Sequence, residues 1–77
     1  MMMTSYLITQ KPDGYLLQCT GGPCKVGLER IETDESSLVQ DLITLRVPEG
    51  QRATALQELR SHQSTIVTFD AKTMDPL

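Results

Sequence analysis

The sequence predicts an α+β domain: a small, mostly antiparallel β-sheet in ββββαβ order with one α-helix packed on one face. Three observations predict it. Short runs of β-prone residues alternate apolar and polar with the period of a half-buried strand, as in Ile43, Leu45 and Val47 against Thr44 and Arg46. The turn signal Lys11-Pro12-Asp13-Gly14 separates two such runs. A stretch rich in helix formers, Gly50 to His62, lies between the last two.

In chain order, Ser5 to Gln10 and Tyr15 to Thr20 are read as a hairpin. Pro12 presets φ at the turn, Asp13 can bond its local backbone, and Gly14 accepts a positive φ. Thr20-Gly21-Gly22-Pro23 is a second turn, and Val26 and Leu28 alternate within a third strand from Lys25 to Glu32. Beyond the polar stretch Thr33 to Ser37, two periods compete. Val39, Asp41, Ile43, Leu45 and Val47 line one face at period two, whereas Leu38, Leu42 and Leu45 line one at helical period. Thr33 or Asp34 could cap such a helix and Pro48 stop it. The density of Val, Ile, Thr and Leu favours a fourth strand over Leu42 to Val47. Ala55, Leu56 and Leu59 then form the apolar stripe of the helix, and Thr65 to Asp70 returns to strand.

With 77 residues the chain is read as one domain over 1–77, with 1–4 and 73–77 frayed. A chain of this size removes only about 60 to 65% of its unfolded surface from water. The net charge of −3 argues against a general phosphate-backbone binder, so direct nucleic-acid binding is not expected. No apolar run reaches the roughly 18 to 20 residues of a membrane span, and MMMTSYLITQ lacks the basic and apolar regions of a secretory signal. The expectation is a cytoplasmic protein without a membrane partner.

Candidate chemistry is sparse. Cys19 and Cys24 in CTGGPC flank a short loop that would set them across two strands, so a disulfide is a candidate beside the plainer reading of two reduced, semi-buried thiols. A four-ligand metal site lacks ligands, because His62 is the only histidine, and no cofactor is expected. Near the end of the predicted helix, His62 suits a capping role. The Gly-Gly-Pro-Cys-Lys-Val-Gly stretch lacks the spacing of a phosphate loop and leads into a strand. No nucleophile, base or paired carboxylates stand at a recognisable spacing, so no catalytic residue is assigned and no enzyme is expected.

Charge placement says more. Between Glu29 and Asp41 stand five acids, Glu29, Glu32, Asp34, Glu35 and Asp41, against Arg30 alone, a net of −4 that leaves the rest of the chain at +1. The segment reads either as a solvated acidic loop or as a patch that docks on a basic surface. The expectation is a small, acidic, non-catalytic protein that binds another macromolecule. It would serve as an inhibitor or accessory protein of the kind mobile elements encode, acting on a nucleic-acid-binding enzyme through those five acids. Two other readings stand beside it. One is a nucleic-acid module using Arg46, Arg52 and Arg60, and the other a thiol or metal module on Cys19 and Cys24. Leu7, Leu16, Ile31 and Ile66 are expected on the sheet face away from the helix, where together they would mark a homodimer or partner surface.

Overall fold

Alternation builds the first half of the chain. In β1 (Met3–Lys11) the residues Thr4, Tyr6 and Ile8 point inward and are buried, and in β2 (Gly14–Gly21) Leu17 and Cys19 do the same. This computed structural model describes residues 3–22 and 29–70. Met3 and Thr4, expected to fray, are instead held in the sheet opposite Asp70 and Phe69, while 73–77 lie outside the described residues. The strands pair antiparallel across the expected turn, with Ile8 opposite Leu17 and Lys11 opposite Gly14. Gly14 sits at φ +151, and a Cβ there would overlap the Glu32 carbonyl, so the turn residue also lets β3 (Glu29–Glu32) come close.

The remaining elements are α1 (Glu35–Thr44), α2 (Glu49–His62) and β4 (Ser64–Asp70). All strand pairs are antiparallel and the sheet order is β3-β2-β1-β4, which bears out the α+β class. Of the third predicted strand, 29–32 are β3, and 25–28 lie outside the described residues.

One element departs from the sequence reading. Leu42 to Thr44 close a helix, and Leu45 to Val47 form its exit, in place of a fourth strand, so the order is βββααβ. Asp34 starts that helix by accepting the Ser37 backbone N–H at 2.8 Å. Its end is a Schellman motif: Val47 N–H donates to the Leu42 carbonyl at 3.0 Å and Arg46 N–H to that of Ile43 at 2.9 Å. Leu42 and Val47, which flank this motif, are both buried. The left-handed position belongs to Arg46, φ 66, where glycine is usual. Arg52 steadies the link into α2 by donating from Nη1 to the Val47 carbonyl at 2.8 Å.

A packing requirement favours the helix. Four strands about 4.8 Å apart make a face wider than one helix about 10 Å across can cover, whereas two helices side by side suffice. Leu38, Leu42 and Leu45 from α1 and its exit therefore join Ala55 and Leu59 of α2 over Tyr6, Ile8, Leu17, Val67 and Phe69. The rings of Tyr6 and Phe69 stack at 6.2 Å between centroids. No helix among the described residues is long and apolar enough to cross a membrane.

Candidate functional site

The side chains that alternate with the core residues occupy the opposite sheet face, and no described element covers it. Register places them. Leu16 pairs with Ile31 across β2 and β3, and Leu7 pairs with Ile66 across β1 and β4. Leu16 lies opposite Thr9, two residues along β1 from Leu7, so the two apolar pairs are diagonal neighbours. The expected grouping of Leu7, Leu16, Ile31 and Ile66 is thus present as a diagonal touching every strand. Its outer members are the most exposed, Ile31 at 75% and Ile66 at 65%. Around it the face is polar: Ser5 and Thr68 share a hydrogen bond of 3.0 Å, and Thr20 donates to the Ser5 carbonyl at 3.1 Å.

The five acids do not form one open patch. Glu29 is exposed at the β3 edge, where its carboxylate accepts a 3.5 Å contact from Gln18. Glu32 receives Arg30 Nε at 3.1 Å. Asp34 is committed to the α1 cap, and its bonds from Ser37 hold its carboxyl below the usual range. Glu35 meets Arg60 at 3.3 Å, an exposed pair that links the start of α1 to the end of α2. Asp41 is buried, so it leaves the predicted contact set.

Asp41 instead belongs to a cluster under β3. Its Oδ1 lies 3.3 Å from Arg30 Nε, the nitrogen that Glu32 also uses. One guanidinium therefore serves two carboxylates, and Asp41 Oδ2 has no hydrogen-bond partner. Burial, then the hydrogen bond and charge of Glu32, push the Asp41 carboxyl up to about 6, with Arg30 opposing. The hydrogen bond from Asp41 draws Glu32 the other way, below its ordinary 4.5. The pair thus holds a proton at Asp41 in mildly acidic solution.

The arginines of the nucleic-acid reading are dispersed in their roles: Arg52 holds the interhelix link, Arg60 meets Glu35, and Arg46 occupies the α1 exit. Cys19 is buried with Sγ 4.0 Å from the Gly21 carbonyl oxygen, and the described residues include no free cysteine. Cys24, its expected partner, lies outside the described residues. His62 ends α2 and lies 3.4 Å from Glu58.

Two grooves open on the surface of the described residues. One, of about 330 Å³, runs between α2 and β4 and includes Gln51, Thr54, Ala55 and Val67. The other, of about 310 Å³, lies between the β1–β2 turn and the start of α1 and includes Lys11, Asp13, Asp34 and Glu35. The alternation in β4 already marked Ile66 as outward, but no local signal announced the α2 groove, because it joins residues on two elements. No family model, curated protein or solved structure matches this chain.

Proposed function

We propose that this is a non-catalytic binding protein whose open sheet face docks on another protein, so that it acts as an inhibitor or accessory subunit. The observation that carries the reading is the diagonal Ile31, Leu16, Leu7 and Ile66, an apolar track that crosses all four strands outside the core. Scattered exposed apolar residues are ordinary, whereas a contiguous set rimmed by polar groups marks a contact surface.

The chemistry of the partner follows from the rim. Glu29, exposed at the β3 edge opposite Gln18, sets a negative charge on the border of this face beside Ile31. A partner with an apolar patch and a basic border fits that arrangement, and a protein surface that otherwise holds nucleic acid has such a border. The engagement of Arg52 and Arg60 within the fold speaks against direct nucleic-acid binding. In this reading Glu29 adds long-range steering and the isoleucines add the buried contact.

The test is capture from the native source with the wild-type chain and with the double variant Ile31→Ser, Ile66→Ser. A protein retained by wild type and reduced by about tenfold or more with the variant supports the face as the contact. Equal retention by both chains, with the variant shown folded by circular dichroism, overturns it.

A further inference from the structure

We propose that β4 is a self-association edge, pairing antiparallel with β4 of a second copy to join two four-stranded sheets into one. The proposal concerns the sheet edge and stands independently of the binding reading for the sheet face.

The two edges of the sheet differ in the way that governs edge pairing. On one side, Glu29, Arg30 and Glu32 make three of the four described residues of β3 charged. Charged edges resist strand addition. On the other side β4 runs seven residues, Ser-Thr-Ile-Val-Thr-Phe-Asp, with no Lys, Arg or Pro and its one charge at the last position. Among the described residues no strand lies beyond it.

The backbone groups that β4 turns outward follow from its register. Gln10 N–H donates to the Gln63 carbonyl at 2.7 Å, so this opposed pair is hydrogen bonded. In an antiparallel ladder such pairs alternate with pairs that are not hydrogen bonded. Ile8 opposite Thr65, Tyr6 opposite Val67 and Thr4 opposite Phe69 are therefore the bonded pairs with β1. Ser64, Ile66, Thr68 and Asp70 direct their N–H and C=O groups to the free edge.

A twofold pairing that overlaps the whole strand sets Ile66 against the partner's Thr68 and Ser64 against the partner's Asp70, each a pair exchanging two main-chain hydrogen bonds. Charge selects the antiparallel direction. It separates the two Asp70 carboxylates by roughly 20 Å along the sheet and brings each to Ser64 at the beginning of the other β4. Parallel pairing would place like charges together. The groove beside β4 is lined by the uncharged Gln51, Thr54 and Ala55 of α2. In the dimer the two grooves meet over the twofold axis, where Val67 lies opposite the partner's Val67.

Sedimentation equilibrium at millimolar chain concentration, together with amide hydrogen exchange, tests the proposal. The expected result is a doubled mass with concentration-dependent protection at the Ile66 and Thr68 amides, which dilution removes while Val67 and Phe69 stay protected by β1. Thr68→Pro deletes an outward N–H at an edge position that tolerates proline, and it should leave a folded monomer. A monomeric wild type at that concentration overturns the proposal, as does a dimer whose Ile66 and Thr68 amides exchange freely, or one that persists in folded Thr68→Pro. If that variant fails to fold, the exchange pattern of the wild-type chain decides. Ile31→Ser should leave the dimer intact, because Ile31 lies on the far strand; loss of the dimer in that variant assigns association to the sheet face and overturns the edge.

Discussion

The two faces of the sheet are built by the same alternation and used in opposite ways. On the helix side, Tyr6, Ile8, Leu17, Val67 and Phe69 are buried beneath two helices. On the open side Leu7, Leu16, Ile31 and Ile66 occupy the intervening positions with Ser, Thr and Gln among them, and exposure rises toward the strands at either edge. Side chains on the helix side hold the fold together, while those on the open side can change with little effect on it. The apolar diagonal there is accordingly the better place to look for a partner.

Cutting one side chain on each face breaks or sharpens that comparison most strongly. Leu42, fully buried against the sheet, should lose about 2 to 5 kcal/mol of stability as Leu42→Ala, read as a lower urea midpoint. The matched change on the open face, Ile66→Ser, should stay within about 0.5 kcal/mol of wild type. A loss comparable with that of Leu42→Ala would show that the open face carries structural weight and would remove the contrast.

A smaller effect separates the buried acid from the exposed ones. The Asp41 carboxyl rises from 3.8 to about 6 on folding, so the folded chain binds that proton more tightly than the unfolded chain. Its stabilising contribution is complete below its unfolded value and is lost as pH rises through about 6. Glu32, drawn below 4.5, runs opposite and loses its contribution as pH falls through its folded value. The fall in stability between about pH 4.5 and 6.5 therefore belongs to Asp41. Asp41→Asn should flatten it, as followed by urea midpoints across that range. Glu29→Gln, at an exposed position, should leave the slope in place and shift the midpoint least of all.

How much was legible in the sequence differs by element. The Lys11-Pro12-Asp13-Gly14 turn, the alternation beside it, the helix after Pro48 and the final strand all carry their signals locally, and each stands where those signals placed it. Leu38 to Val47 carries two periods at once. Its helix stop is a left-handed Arg46, which lacks the glycine that would have announced it. For the acids, sequence supplied their number and spacing alone. Their division into cap (Asp34), helix tie (Glu35), buried proton holder (Asp41) and exposed edge (Glu29) depends on which element faces which.

By itself, then, the sequence determined the antiparallel hairpin, the α+β class and the four apolar residues that stay outside the core, because turn chemistry and a period of two act over a few residues. Tertiary structure alone decided that Leu42 to Val47 closes a helix and that Asp41 is interior. A four-stranded sheet needs a second helix to cover its inner face, and this demand is set by the width of the assembled sheet, which no single segment encodes.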